Sequence, residues 1–266
     1  MLLTDSHCHL DFDAFTQDLP QLLVQCAKQG IHQVIVPSIS PDNWQKVLTL
    51  CTLPQKDNHP LLYACLGIHP WFLKGLTKAH LDDLSLWVTN HKKNIIAIGE
   101  AGIDGVIAKE QNNLIQQQHF FEYQLTLAQQ HDLPIIVHHR RSHPEVIALL
   151  KKAKLNRAGI IHAFSGSYQQ ASQYIDLGFK LGIGGTITYP RAIKTIKTIK
   201  RLPSSSFVLE TDAPSMPLAD HQGHPNSPLR LIDVFNCLVN IRGGSAEQLA
   251  SNIEQTVKVL FNLPEV

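Results

Sequence analysis

The run Leu2-Leu3-Thr4-Asp5-Ser6-His7 is followed by a helical pattern around Leu19 to Gln29. Short, nearly all-apolar runs of this kind read as strands covered on both faces. The same pair of signals recurs seven more times. Val34-Ile35-Val36-Pro37 precedes a helical stretch from Asn43 to Leu50, and Leu61-Leu62-Tyr63-Ala64-Cys65-Leu66-Gly67 precedes Ala79 to His91. Ile95-Ile96-Ala97-Ile98-Gly99-Glu100 leads to Gln117 to Gln130, and Pro134-Ile135-Ile136-Val137-His138 to Glu145 to Ala153. Gly159-Ile160-Ile161-His162 leads to Gln169 to Leu177, and Phe179-Lys180-Leu181-Gly182-Ile183-Gly184 to Ala192 to Arg201. Phe207-Val208-Leu209-Glu210-Thr211-Asp212 comes last, before helices around Leu229 to Ile241 and Ala246 to Phe261.

Helical links between successive strands imply parallel pairing. Eight strand–helix units in 266 residues predict an α/β fold, a closed (β/α)8 TIM barrel over residues 1–266 as one domain. An open doubly wound sheet is the rival arrangement. No linker, low-complexity segment or composition break marks a second domain.

Composition narrows the function classes. Lys and Arg number 23, Asp and Glu 22, so the formal charge is +1. That balance speaks against a broad basic surface for long duplex and leaves room for a small basic site. No apolar run approaches the roughly 20 residues that span a bilayer, so no membrane partner is expected. The opening residues Met1-Leu2-Leu3-Thr4-Asp5 carry no basic leader or apolar signal segment. A cytoplasmic protein is the expectation, with a monomer favoured. Cys8, Cys26, Cys51, Cys65 and Cys237 have no CxxC spacing, which predicts buried reduced thiols rather than a disulfide frame or zinc ribbon.

The strand ends carry the chemistry. The first strand ends in His7-Cys8-His9, and in an extended chain residues two apart share a face, so both imidazoles point one way and Cys8 points back. Glu100, His138, His162 and Asp212 end the fourth, fifth, sixth and eighth strands. In a parallel barrel all these ends lie on the C-terminal face. Each alone reads as a hydrogen-bonded structural residue or a helix cap. Together they bury four imidazoles and two carboxylates in one mouth, which is costly without a compensating cation. Six ligands exceed the needs of one tetrahedral zinc. Two ions about 3.5–4 Å apart, sharing one carboxylate, use all six. Imidazole with carboxylate suits zinc, manganese, nickel or iron, and magnesium stays a candidate.

These residues also carry a resemblance. Asp5-Ser6-His7-Cys8-His9-Leu10-Asp11, Gly67-Ile68-His69-Pro70, Ile98-Gly99-Glu100-Ala101-Gly102-Ile103-Asp104, Pro134-Ile135-Ile136-Val137-His138, Ile161-His162-Ala163-Phe164-Ser165-Gly166 and Leu209-Glu210-Thr211-Asp212-Ala213-Pro214 resemble, in order, the TatD family of metal-dependent deoxyribonucleases. Arg140-Arg141 and Gly184 to Arg191 look like its YjjV-type branch. The resemblance implies an amidohydrolase-type TIM barrel with a two-metal centre. His7, His9 and Asp212 would hold one ion, Glu100 would bridge, and His138 and His162 would complete the second. The implied activity is hydrolysis of DNA phosphodiester bonds, often from an end.

On that basis Asp212 is expected to take the proton of an attacking water, and Asp212 and Glu100 are the catalytic candidates. Arg140 shares the face of His138 and suits bidentate phosphate contact. His69 and Ser165 are the other candidate substrate contacts, the latter in a turn that either cradles an anion or caps a helix. Glu210 and Asp104 are candidates for orienting a ligand. Trp71 is read as rim packing in preference to base stacking, and His139 as a solvated ring. Gly105-Val106-Ile107-Ala108, where the family often has aromatics, is read as a loop at the mouth. Lys194, Lys197, Lys200 and Arg201 read as one solvated helix side. The expected partner is DNA or a short oligonucleotide, as a short or single-stranded end. Amide or ester hydrolysis by the same centre is the alternative, and an inert nucleic-acid-binding barrel a second.

Overall fold

The chain is described here by a computed structural model over residues 1–54 and 56–264. The eight apolar runs form eight strands. They are β1 Leu3–Asp5, β2 Ile31–Pro37, β3 Leu61–Leu66, β4 Ile95–Asp104, β5 Ile135–Arg140, β6 Gly159–Ile161, β7 Lys180–Ile183 and β8 Phe207–Leu209. Each pairs in parallel with the next, in chain order. The remaining gap is bridged by Ser6 N–H donating to Leu209 O and Asp212 N–H donating to His7 O, both at 2.8 Å. The result is a (β/α)8 TIM barrel, and the open-sheet rival is excluded by this closure.

The helices among the described residues begin with α1 Asp13–Thr16, α2 Leu19–Lys28, α3 Trp44–Thr52 and α4 Lys78–Asn90. Then come α5 Gly105–Gln111, α6 Leu114–His131, α7 His143–Ala153 and α8 Tyr168–Asp176. The last are α9 Ile193–Arg201, α10 Leu231–Arg242 and α11 Ala246–Phe261. No helix of the described residues is long and apolar enough to cross a membrane.

Two layers of core follow from strand alternation. Ile35, Cys65, Ala97, Ile136, Ile160 and Val208 face inward from six strands, and Val257 and Phe261 of α11 pack against them from the N-terminal end. The opposite strand faces pack on the surrounding helices, where Val34, Leu66, Ile98, Val137 and Ile161 join Leu84, Phe121 and Val146. On β5 this puts Ile136, His138 and Arg140 on the inner face and Val137 and His139 on the outer one.

Three features depart from the sequence reading. β4 continues through Asp104, well past Glu100. The segment read as a mouth loop is the helix α5. Asp104 caps it, its Oδ1 accepting the N–H groups of Val106 at 2.8 Å and Ile107 at 3.0 Å. His139 is not solvated. It is 7% exposed and lies against His143, with ring centroids 4.5 Å apart, because the strand period turns it outward beneath the helices.

α6 fixes two strand ends from outside. Gln117 and Gln124, two turns apart on one face, are fully buried. Gln117 Oε1 accepts Asp104 N–H at 2.8 Å. Gln124 brackets Ile68, accepting its N–H at 2.8 Å and donating to its carbonyl at 3.0 Å. The residues beside His69 and beyond Glu100 are thereby held by side-chain amides, whose two faces match one backbone unit.

Candidate metal centre

Strands β1, β6 and β8 stop just short of the mouth, so His7, His9, His162 and Asp212 sit in the first residues beyond them. Glu100 and His138 lie on β4 and β5 themselves. All six converge. His7 Nε2 is 3.2 Å from His9 Nε2, 3.1 Å from Glu100 Oε2 and 3.5 Å from Asp212 Oδ1. His9 Nε2 is 3.6 Å from Glu100 Oε2 and 3.5 Å from Asp212 Oδ1. His162 stacks on His7 at 3.6 Å between centroids, its Nε2 3.7 Å from Asp212 Oδ1. His138 Nδ1 is 3.0 Å from Glu100 Oε1, and His69 Nε2 is 3.4 Å from the same oxygen. By proximity three overlapping triads form: His7, His162 and Asp212; His7, His9 and Glu100; and His69, Glu100 and His138.

The outward-facing nitrogens are held in turn. His9 Nδ1 donates to the Pro37 carbonyl at 3.2 Å, which leaves the Nε2 lone pair for the centre. His138 Nε2 lies 3.1 Å from Asp104 Oδ2, and His162 Nδ1 lies 3.0 Å from Glu210 Oε1. Glu210 also accepts Ala163 N–H at 2.6 Å. It rests against Gly182, where any Cβ would overlap its Oε2. Imidazoles backed by carboxylates and a carbonyl are the usual support of ligating histidines. Buried nitrogen and carboxylate donors this close together fit divalent cations, whose charge offsets the repulsion between them.

The same crowding sets the protonation states. Burial pushes the Glu100 carboxyl up, but the imidazoles of His69, His7 and His162 outweigh it and hold it well below the carboxylate range. Asp212 is likewise raised by burial and held low by His162, His9 and His7. Burial pushes His162 down, yet Glu210, Asp212 and Glu100 lift it well above an ordinary imidazole. His7 is lowered, first by burial and then by His162. The charges therefore pair internally, and a cation entering this site displaces protons from imidazole.

Above the donors opens a cavity of about 920 Å³. Glu100 and Asp212 are the only carboxylates lining it among the described residues. Phe12, Ile39, Trp71 and Phe72 supply an apolar side. Arg140 reaches the mouth from β5, its side chain 51% exposed and its guanidinium 3.8 Å from Asp104 Oδ2. Trp71 sits on the rim, 45% exposed, donating from Nε1 to Asp104 Oδ2 at 2.7 Å. Ser165 is exposed on the wall. The turn it opens has little backbone left for an anion, since Gly166 N–H donates to Thr195 Oγ1 and Ser167 N–H to Gln170 Oε1. Ser167 caps α8 in a reciprocal box with Gln170. Lys194, read as part of a solvated helix side, also lines the cavity, with Arg141 and Arg191. The supporting roles of Gln117, Gln124 and Gly182 were not legible in the sequence. A glutamine on a helix reads as surface, and only its contact with a strand end reveals otherwise.

Fold and donor chemistry together set the chain among the metal-dependent hydrolases built on this barrel. Its lineage comes from the comparisons with known proteins. The family model described as TatD related DNase matches residues 4–262, and the chain belongs to the TatD family. It is 40% identical over 260 residues to the metal-dependent hydrolase YjjV of Escherichia coli, covering 98% of both chains. To a metal-dependent hydrolase of Haemophilus influenzae it is 37% identical over 247 residues, covering 91% of this chain and 93% of that protein. The crystal structure of the Escherichia coli YjjV protein superposes with a TM-score of 0.93 over 98% of each chain.

Proposed function

We propose that this protein is a two-metal phosphodiesterase acting on DNA, at short or single-stranded ends. The observation that carries the reading is one cavity on which His9, Glu100, His138, His162 and Asp212 open, with His7 behind them, while an arginine reaches the mouth and aromatic rings form a side. That combination suits a ligand with an anionic backbone and flat bases. The description of the family points the same way.

In this reading His7, His9 and Asp212 would hold one ion and His138 and His162 a second, with Glu100 a donor shared by both. The chemistry that divalent ions would supply there is Lewis acidity toward a water and toward the phosphoryl oxygens. Asp212, kept ionised by its imidazole neighbours, accepts the water's proton on its free oxygen. Glu210 and Asp104 keep the rings of His162 and His138 aimed at the floor. Arg140 and His69 Nε2–H donate to the phosphoryl oxygens, and Ser165 adds a hydroxyl from the wall. Trp71, held upright by Asp104, offers a face for the terminal base.

The test is turnover of a single-stranded oligonucleotide by Asp212→Asn and Glu100→Gln proteins at equal metal content. Both are expected to lose at least about a hundredfold in rate. Near-wild-type rates would remove these carboxylates from the chemistry. Hydrolysis of amide or ester substrates in preference to phosphodiesters by the wild type would overturn the substrate assignment.

A further inference from the structure

We infer that the cavity contains a second phosphate subsite on the wall after β5 and β7, built by Arg141, Arg191 and Lys194. Its ligand is the terminal phosphate of a strand end, next to the scissile one. The inference rests on the phosphodiesterase reading and adds to it a preference for phosphorylated ends.

The three cations come from two segments far apart in sequence, Arg141 after β5 and Arg191 with Lys194 after β7, and line the same cavity as the donors. None has a carboxylate within 4.0 Å among the described residues, whereas Arg140, which lines the same cavity, is 3.8 Å from Asp104 Oδ2. Together with Arg140 they set four cationic side chains on a cavity with two carboxylates, a local positive excess in a chain of net charge +1. The cavity itself offers them no counter-charge, because its only carboxylates are Glu100 and Asp212, already engaged with imidazoles.

The wall is also held in shape. The Arg191 guanidinium lies over the Tyr189 ring, 4.2 Å from its centroid, and Tyr189 O–H donates to the Pro217 carbonyl at 2.7 Å. Arg141 has φ +52°, a left-handed conformation that a side chain disfavours, in a turn pinned by Ser142. Ser142 Oγ accepts Arg140 N–H at 3.2 Å and donates to the Ile103 carbonyl at 2.6 Å. Lys194 stands in the first turn of α9. His143, although it faces the same space, spends both ring nitrogens on the Tyr174 hydroxyl and the Ser165 carbonyl and positions that turn instead. With the Gly166 and Ser167 amides also committed, an anion on this wall is held by the three cationic side chains.

The experiment uses wild-type holoprotein and phosphorothioate-linked dithymidylate in three forms: unphosphorylated, 5′-phosphorylated and 3′-phosphorylated. Binding is read by calorimetry. One phosphorylated form is expected to bind about tenfold tighter than the unphosphorylated one, and which form does so gives the strand polarity. In an Arg191→Ala/Lys194→Ala protein that ratio falls below about twofold. Lys197→Ala, one turn further along α9 and outside the cavity, keeps the full ratio. Equal affinity for all three forms, or a ratio that survives the double substitution, overturns the subsite. Turnover of normal dithymidylate is measured alongside. Discrimination without any turnover would sink the phosphodiesterase reading and leave the subsite, while turnover without discrimination would do the reverse.

Discussion

The backbone N–H of Trp71 donates to Nδ1 of His69 across 3.1 Å. A neutral imidazole carries one proton, so with Nδ1 accepting, the proton sits on Nε2, facing Glu100. Burial lowers this ring's pKa to about 4, which keeps it neutral at pH 7. His69 thus offers the cavity a donor rather than a lone pair, although it stands within ligating distance of the centre. His69→Ala is expected to retain its full metal content by elemental analysis while turnover falls about a hundredfold, the usual cost of one such donor. Loss of an ion would show that His69 is a ligand instead.

The second prediction concerns Glu210 and the glycine that makes room for it. Gly182→Ala forces Glu210 off its seat, and Glu210→Gln removes its charge without changing its size. Each frees His162 to turn, and each is expected to weaken metal binding by about 10–100-fold in chelator competition. If both variants hold metal like the wild type, Glu210 has no part in aiming His162.

Gln124 is the third. Replacing it with Leu strands the N–H and carbonyl of Ile68 inside the protein. Each unsatisfied group costs about 1–3 kcal/mol, so urea unfolding is expected to show a loss of roughly 2–5 kcal/mol. Turnover should fall too, because His69 is the next residue. A loss below about 1 kcal/mol would mean that water takes over both contacts.

The fourth prediction is a pH dependence at the opposite end of the barrel. Glu254 accepts the N–H of Thr4 at 2.7 Å and lies 2.6 Å from its hydroxyl. That hydroxyl is 3.1 Å from Gln33 Oε1, which lets a protonated Glu254 donate to Thr4 and Thr4 donate onward. Burial pushes the carboxyl up from 4.5 to about 7. The folded state therefore binds this proton more tightly than the unfolded chain does. The associated stability is complete below pH 4.5 and is lost as pH rises through 7, by up to roughly 3 kcal/mol. Glu254→Gln stays neutral throughout, so its stability curve should be flatter across that window in chemical denaturation. Parallel curves for the two proteins would assign the titration to another group.

How far the sequence carried can be judged residue by residue. Eight covered strands announce themselves because a run such as Ile135-Ile136-Val137 has nowhere to go but a core. Periodicity placed α11 at Ala246 to Phe261 and α4 within one residue of its ends. The convergence of His7, His9, Glu100, His138, His162 and Asp212 was also legible, since parallel strands put all their ends on one face. What escaped depends on contacts across the chain. α5 exists because Asp104 turns to cap it, and nothing in Gly105-Val106-Ile107-Ala108 says so alone. His139 lies one residue from His138 yet packs among Phe164, His143 and Tyr174. Strand parity separates the two, but the helices that cover His139 do not show in its neighbours. The unpaired state of Arg141, Arg191 and Lys194 is likewise invisible until the acids are located.

Thr4 and Glu254 are 250 positions apart, and the donors run from His7 to Asp212. A ribosome emits the first histidines long before the last aspartate, and the helix that seals the cylinder follows later still. The donor set is therefore complete only once the strand that leads to Asp212 has been made. A chain cut short before Asp212 lacks the full set of donors.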